Sequence, residues 1–320
     1  MSFLAILIAL GLEQWRAFDW RTAGERAFVR YTRVVERKLN GGTRQHGIFA
    51  VVAAVVPPTA LTAMFFLVAD ALHPVAGLFV NVAILYLLMG FRRFSHALSA
   101  IVAALQAGDL QLARRALGGW RGGSTLELSA QDVARLAIER GLVDAYRQVF
   151  AVLFWFVVLP GPMGAVLYRA AVLLADEWRG PVPGVPPTPP VLARAEFGQP
   201  AQTLLSWLDW IPVRLTALSF AIVGDFEDAI ACWRTQAAQW VNHEGSTAVG
   251  ILLAAGGGAL GVQLGGPLPT LGGDPDPRPE VGIGDPVEPD VLPSAVGLVW
   301  RALVLWLLLI LLLTLANLAP

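Results

Sequence analysis

The sequence has few charged residues and few of the residues that build metal centres. Only 15% of its 320 residues are charged, whereas 56% are hydrophobic and the mean hydropathy is +0.60; an average soluble domain has about 25% charged residues. The single cysteine, Cys232, excludes an internal disulfide, and the four histidines lack metal-ligand spacing. A net charge of −1 provides no basic surface for a polyanion. The composition therefore predicts an integral membrane protein that does not bind nucleic acid.

Long apolar stretches are plentiful, and several of them are interrupted. Residues 296–318 form a nearly uncharged run, long enough to cross about 30 Å of hydrocarbon as a transmembrane helix. Residues 48–72 and 75–89 predict a helical hairpin in the membrane. The stretch 149–174 is broken at residues 159–162 by the sequence Leu-Pro-Gly-Pro, which favours two half-spans or a re-entrant element. The predicted fold is all-α: a polytopic helical membrane protein with broken or re-entrant helices.

Arginines are concentrated in two stretches, residues 16–44 and 92–147, which flank the predicted hairpin. Because basic loops stay in the cytoplasm, both ends of the hairpin are expected on that side. Apolar residues at helical spacing in the second stretch predict cytoplasmic helices packed against the membrane part. Residues 268–294 are rich in proline, glycine and acid, which predicts a flexible linker. The predicted domains are a helical membrane domain (1–267), this linker, and a C-terminal transmembrane helix (295–320).

A charge pair stands out in the apolar segment 207–221. Asp209 and Arg214 flank Pro212 in a stretch that is otherwise apolar enough to enter a bilayer. Because a charge in hydrocarbon is costly unless it is paired or faces water, the pair favours a lined polar site. The alternative is a helix that begins at the membrane surface, with Asp209 at its N-cap and Arg214 reaching the headgroups. The sequence leaves both interpretations open.

A glycine-rich segment, residues 256–266, also has two interpretations. Its backbone N–H groups could bind an anion where no Cβ intervenes. The segment lacks the lysine and hydroxyl residue of a Walker loop, however, and it lacks the spacing of a dinucleotide fingerprint. Close packing of a membrane helix through small residues is the preferred interpretation.

Several short motifs occur in the order found in one membrane family. They are Gly108-Asp109-Leu110, Glu139, Gly161-Pro162, Tyr168-Arg169-Ala170, Trp210-Ile211-Pro212-Val213-Arg214-Leu215-Thr216 and the segment 258–267. Collinearly, from about residue 108 to 267, they resemble the CobD/CbiB family of inner-membrane adenosylcobinamide-phosphate synthases. Other stretches, among them Leu12 to Arg16 and Gly224 to Ala229, resemble the related AmpE branch, which is linked to β-lactamase induction. The resemblance implies a multi-pass protein of the bacterial inner membrane.

The resemblance to the CobD/CbiB family implies ATP-dependent amide formation between a corrinoid propionate and aminopropanol or its phosphate, with Mg²⁺ present. The site residues that it implies are Glu139, Asp144, Asp176 and Asp209 as acids, Arg121, Tyr168, Arg169 and Arg214 as contacts for phosphate or propionate, and Gly258, Gly261 and Gly265 for close backbone approach. No metal ligand is assigned, because most of the family's metal-binding carboxylates are missing. Leu205-Ser206, for example, stands where the family has paired acids.

Two functional hypotheses follow. In the first, the protein is a divergent cobinamide-phosphate synthase that binds a corrinoid and uses ATP and Mg²⁺ if the ligase chemistry is retained. In the second, it is an AmpE-like accessory or sensor protein of cell-wall or β-lactamase-induction signalling, without ligase chemistry. The retained segment 258–267 favours the first hypothesis, and the missing acids favour the second. Both have the lipid bilayer as a partner, and both are compatible with a homo-oligomer.

A purely structural alternative also stands for some of the candidate residues. In that interpretation Glu139 is an exposed helix charge, and Tyr168 with Arg169 is an anchor pair at the membrane interface.

Overall fold

Helices make up nearly all of the regular structure. The computed structural model describes residues 2–15, 20–179, 189–240, 246–269 and 277–316. Its helices are α1 (Ser2–Trp15), α2 (Trp20–Leu39), α3 (Arg44–Leu72), α4 (Pro74–Leu88), α5 (Phe91–Gln106), α6 (Leu110–Arg121), α7 (Ala130–Ala145), α8 (Ala151–Val158), α9 (Met163–Glu177), α10 (Pro189–Val223), α11 (Phe226–Gln236), α12 (Thr247–Leu260) and α13 (Leu292–Ala316). The predicted all-α fold class is confirmed.

Within the described residues, three helical stretches are long and apolar enough to cross a membrane: Arg44–Leu72, Ala130–Val158 and Pro289–Ala316. The third contains α13, so the predicted C-terminal helix is present and has the length and hydropathy that a membrane crossing needs. The first contains α3, which forms the predicted hairpin with the shorter apolar helix α4. Only 17% of the apolar part of α3 is buried inside the protein, so most of its surface is left for lipid.

The turn between α3 and α4 follows from the residues at the two helix ends. His73 has extended backbone, with φ −164° and ψ 134°, and its ring Nδ1 accepts the N–H of Val75 at 3.1 Å. Pro74 occupies the first turn of α4, where a backbone N–H has no helical partner in any case. The sequence His-Pro therefore ends one helix and starts the next.

The chain divides into two compact units. One unit consists of Met1–Met89, Arg147–Trp210 and Ile310–Pro320, and the other of Gly90–Tyr146 and Ile211–Leu309. In the first unit α3 packs against α2, α4 and α9, and α8 packs against α9. In the second unit α12 packs against α7 and α11, and α5 packs against α6 and α7.

The predicted break in the stretch 149–174 is confirmed. α8 ends at Val158 and α9 begins at Met163, with Leu159-Pro160-Gly161-Pro162 between them. Gly161 has φ 64°, a left-handed conformation that suits glycine, and so allows the chain to turn. Gly164 then brings α9 against the backbone of Trp155, where a Cβ would collide with the carbonyl group.

One predicted helix boundary is wrong. The sequence indicates a cytoplasmic helix over residues 124–147 and a separate membrane element that begins at Val149. The structure instead has one helical stretch, Ala130–Val158, in which the π-helical turn Tyr146–Phe150 connects α7 to α8. A π-turn changes the hydrogen-bond register without ending the helix, so a charged half and an apolar half can follow one another directly.

The alternative in which Asp209 caps a helix is also wrong. α10 begins at Pro189 and runs through Asp209 and Pro212 without interruption. Thr216, one turn after the proline, donates its hydroxyl hydrogen to the Pro212 carbonyl oxygen at 2.8 Å. Asp209 is only 3% exposed, so it is a buried mid-helix carboxylate and not a surface cap.

A small sheet follows α12 in the second unit. It consists of β1 (Val262–Gly265), β2 (Glu280–Gly282) and β3 (Asp285–Pro286), with β1 in the centre. β1 is antiparallel to β2, which places Gly265 opposite Glu280, and parallel to β3.

This sheet changes the interpretation of the acidic, proline-rich stretch. Residues 277–294 are folded, in contrast to the flexible linker expected there, because Val281 and Val287 are buried and anchor them. Proline fixes φ at a value that suits extended backbone and is tolerated in edge strands, so a proline-rich stretch is compatible with short edge strands as well as with a linker. Residues 270–276 and the proline-rich residues 180–188 lie outside the described part of the chain. The domain boundaries at residues 267 and 294 stay predictions.

The glycines of α12 serve close helix packing, as the preferred interpretation predicts. A Cβ on Gly256 would meet the side chain of Leu142, and a Cβ on Gly258 would meet the backbone of Asp228. Gly261 ends the helix in the left-handed conformation, with φ 67°. Two of the three glycines predicted to approach a ligand, Gly258 and Gly261, therefore have structural roles in this helix.

We expect Gly164→Ala to lower the free energy of unfolding by about 1–3 kcal/mol, because the added methyl group overlaps the Trp155 carbonyl group. The control Gly24→Ala, on α2, places a Cβ with nothing within 4 Å and should leave stability unchanged or slightly higher. Thermal unfolding in detergent, followed by circular dichroism, measures both. Equal melting temperatures for the two variants would contradict the packing of α8 against α9.

Candidate functional site

The predicted acid Glu139 lies buried in the second unit, beside the end of β1. Its residue is 7% exposed, so the alternative that makes it an exposed helix charge is wrong. Oε1 accepts the backbone N–H of Gly265 at 2.7 Å, and Oε2 forms an ion pair with Arg278. Two predicted site residues, 126 positions apart in the chain, are thus in direct contact.

Gly265 needs to be a glycine in this arrangement. Its φ of 75° lies in the left-handed region, and a Cβ would collide with the carbonyl group of Pro279. The next residue, Gly266, donates its N–H to the same Pro279 oxygen at 3.1 Å. The turn after β1 therefore lies in close backbone contact with the segment that contains Arg278.

Arg278 is a site residue that the sequence analysis missed. Its side chain is 4% exposed, and its guanidinium carbon lies 5.1 Å from the ring centroid of Trp240. A buried guanidinium is stable only with a counter-charge and further partners, which Glu139 and the indole ring supply. One sequence signal could have indicated it: Arg278 is the lone arginine in the acidic, proline-rich stretch 267–293.

Further hydrogen bonds fix the segment that carries Arg278. The Gln236 side chain donates to the carbonyl oxygen of Gly282 at 3.2 Å and accepts its N–H at 2.6 Å. Gln131 donates to the Glu288 carboxylate at 2.6 Å. The segment from Arg278 to Glu288 is therefore held against α7 and α11 at several points.

A polar cavity of about 90 Å³ lies next to the ion pair. Its lining includes Gly265, the residue that donates its N–H to Glu139. It is lined by Gln131, Asp132, Arg135, Gln263, Leu264, Gly265, Glu280, Pro286 and Val287. Arg135 donates to the Asp132 carboxylate at 2.7 Å and to the Pro267 carbonyl oxygen at 3.1 Å. α7 and the three strands all contribute to this lining.

Asp144, another predicted acid, is engaged inside the second unit. The Trp120 indole donates to its Oδ2 at 2.9 Å, and Arg140 lies 3.2 Å from the same oxygen. These contacts connect α6 to α7. Arg121, predicted to contact phosphate, is exposed at the end of α6, and Arg214 is half-buried on α10.

The remaining candidates lie in the first unit. The Tyr168 hydroxyl donates to Asp209 Oδ1 at 2.8 Å, and both residues are buried. Arg169 forms an ion pair with Glu25 at 2.8 Å, with only 8% of the arginine side chain exposed. These pairs satisfy polar groups that lie among apolar helices. Tyr168 and Arg169 are therefore interior groups and not an anchor pair exposed at a membrane interface.

Asp176 is the most exposed of the predicted acids. Its side chain is 45% exposed and lies 3.2 Å from Arg179 and 3.7 Å from Arg147. The structure thus brings Glu139 to Gly265 and Tyr168 to Asp209, whereas it gives Asp176 partners that the sequence did not name.

Cys232 and Arg33, which are not among the predicted site residues, have pKa values raised above their usual ones. Burial raises the pKa of the Cys232 thiol, and the charge of Asp228 acts in the same direction. The thiol therefore stays protonated at neutral pH and is a poor nucleophile. On α2, the hydrogen bond and ion pair with Glu177 raise the pKa of Arg33, which keeps its charge at any physiological pH.

We expect Arg278→Met to lower the free energy of unfolding by about 3–5 kcal/mol, because it leaves the Glu139 carboxylate buried without a counter-charge. The double variant Glu139→Gln/Arg278→Met removes both charges and keeps an acceptor for the Gly265 N–H. The double variant should lose about 1–3 kcal/mol less free energy of unfolding than the two single variants lose in sum. Denaturant unfolding followed by tryptophan fluorescence measures these values, and additive effects would show that the two side chains are not coupled.

Comparison with known proteins identifies the family. The model of the CobD/Cbib protein family matches residues 6–179. The chain is 35% identical over 316 residues to the cobalamin biosynthesis protein CobD of Stutzerimonas stutzeri, and the match covers 97% of each chain. It is 39% identical over 248 residues to the protein of the same name from Chromobacterium violaceum, covering 77% of this chain and 75% of the relative.

No solved structure matches the chain. The comparisons give no support to the AmpE alternative, since the matching curated relatives carry the name of CobD. The extent of the family match and of the two relatives leads to one conclusion: this membrane protein belongs to the CobD/CbiB family.

Proposed function

We propose that the protein is a multi-pass inner-membrane enzyme of cobalamin biosynthesis, which joins a corrinoid carboxylate to aminopropanol or its phosphate. The observation that carries the proposal is the contact of Gly265 with Glu139 beside a polar cavity. The contact joins Glu139 on α7 to Gly265, at the end of the glycine-rich segment. Both positions belong to the motifs in this sequence that resemble the family. A relative named for cobalamin biosynthesis matches 97% of the chain, which supports the same function.

The proposed reaction places three requirements on the site. A carboxylate oxygen takes the terminal phosphoryl group of ATP, and ADP leaves. The ammonium group of the amine loses a proton, its nitrogen bonds to the carboxyl carbon, phosphate leaves with that oxygen, and the nitrogen loses a second proton. The site must therefore bind anionic groups, bind an amine and keep water from the activated carboxyl. The second unit offers a guanidinium at Arg135, a carboxylate at Glu280 and the side-chain amides of Gln131 and Gln263, all on the lining of one cavity.

ATP enters this reaction as a substrate in its magnesium complex. Over the described ranges, no three His, Cys, Asp or Glu side chains gather where they could hold a metal ion. Glu139, Asp144 and Asp209 each bond instead to a separate donor. These residues do not fit a magnesium site built by the protein, which prefers several free oxygen ligands.

The proposed multi-pass arrangement rests on three helical stretches that are long enough to cross the bilayer. The basic stretches 16–44 and 92–147 flank the hairpin of α3 and α4 and favour the cytoplasm for both of its ends. ATP and the corrinoid are then supplied from the side of the membrane on which they are made.

We expect the wild-type chain to restore cobalamin-dependent growth in a bacterial strain that lacks adenosylcobinamide-phosphate synthase. Glu139→Gln should lower the cobalamin yield roughly 100-fold, because it removes the charge that holds the site together. Glu127→Gln, an exposed acid in the loop before α7, is the matched control and should behave as wild type. Cobalamin is measured in cell extracts, and the protein by immunoblot of the membrane fraction.

Two results of this experiment would contradict the proposed function. One is a lack of growth although the wild-type chain reaches the membrane in normal amount. The other is full growth with Glu139→Gln, which would separate the activity from the site described here.

A further inference from the structure

One acid on the lining of the 90 Å³ cavity has no partner within the described part of the chain. Glu280 begins β2 and is exposed, and its carboxylate has no hydrogen bond or ion pair there. Asp132, the other acid of the lining, is neutralised by Arg135 and accepts the N–H and O–H of Ser129 at 3.1 and 2.7 Å. The lining therefore carries one uncompensated negative charge, and Glu280 provides it.

The size of the cavity limits what it can bind. Its volume of about 90 Å³ exceeds the roughly 10–15 Å³ that one water molecule needs and is well below the roughly 300–1,000 Å³ of sites for drug-sized ligands. A corrinoid or ATP is too large to be enclosed by it. A molecule with a handful of non-hydrogen atoms fits.

We propose that this cavity binds the short primary amine of the ligation reaction, with its ammonium group on the Glu280 carboxylate. The inference rests on the proposed function, which requires one small cationic substrate beside two large ones. An ammonium group has three N–H donors and no acceptor, so it complements a carboxylate that lacks a partner. Gln131 and Gln263 line the same cavity and offer amide groups to the substrate's hydroxyl or phosphate ester oxygen.

The wall that carries Glu280 is fixed before any ligand binds. Glu280 lies opposite Gly265 in the β1–β2 pair, and Gly265 is held by Glu139, which is held in turn by Arg278. The buried ion pair thus sets the position of the strand that carries the proposed amine-binding carboxylate. A preorganised carboxylate binds its ligand without the entropic cost of ordering a loop.

The test measures binding and turnover separately, on the full chain in lipid nanodiscs. Calorimetric titrations use 1-aminopropan-2-ol in one arm and its O-phosphate in the other, without ATP or corrinoid. The arm with the tighter binding identifies the natural source of the amine. Steady-state assays of amide formation then give the KM of the amine and the KM of ATP for each variant.

Glu280→Gln is expected to raise the Kd and the KM of the amine about tenfold, because it removes one charged hydrogen-bond partner. The KM of ATP should not change. Glu280→Asp keeps the charge, so it should raise the Kd and the KM of the amine less than Glu280→Gln does. The matched control is Asp285→Asn, which changes an exposed acid on β3 that does not line the cavity, and it should bind the amine as wild type does.

The outcomes distinguish this inference from the proposed function. Saturable amine binding that depends on Glu280, without any turnover, would keep the amine site and overturn the proposed reaction. Turnover in which Glu280→Gln and Asp285→Asn show the same KM for the amine would overturn the amine site alone. A wild-type chain that binds neither amine in saturable fashion would overturn it as well. Melting temperatures of all variants show that each one is folded.

Discussion

The buried ion pair between Glu139 and Arg278 is the interaction on which the candidate site depends. Either charge alone would be strongly unfavourable in the protein interior, so each stabilises the other's position. The pair holds the segment after residue 277 against α7, and the Gly265 N–H donates a second hydrogen bond to the same carboxylate. The strands around the cavity are only two to four residues long, and this charge pair positions them together with the bonds of Gln236 to Gly282 and the burial of Val281 and Val287.

Pairing of buried polar groups also accounts for the polar residues in the interior of the first unit. Tyr168, Asp209 and Arg169 lie on the mainly apolar helices α9 and α10, where Tyr168 pairs with Asp209 and Arg169 pairs with Glu25 of the charged helix α2. Because an unpaired charge in apolar surroundings is costly, the sequence singled out Asp209 but left it open between a lined site and a helix cap, and it named Arg169 only through the family resemblance. It could not identify Glu25 as the partner of Arg169, because the two residues are 144 positions apart. Pairing of distant residues is a property of the folded chain.

The fold was largely predictable where a long apolar run or a local break determines the structure. The C-terminal helix, the hairpin at His73 and the break at Leu159 to Pro162 all follow from length, hydropathy and proline placement. The small sheet was not predictable, because strands this short have no periodic pattern. Arg278 was missed because it lies in an acidic, proline-rich stretch, which has the composition of a linker. The continuous helix through Tyr146 was missed because a π-turn leaves no signal in the sequence.

Family membership agrees with the site in one respect and is in tension with it in another. Gly265, at the end of the glycine-rich segment that resembles the family pattern, reaches Glu139, whereas no three His, Cys, Asp or Glu side chains of the described residues gather into a metal site. The most direct test of the central claim is hydrogen–deuterium exchange of residues 262–288, with and without the substitution Arg278→Gln. The account predicts slow exchange of the Gly265 N–H in the wild type and much faster exchange throughout the segment in the variant. Fast exchange already in the wild type, as in a flexible linker, would contradict it.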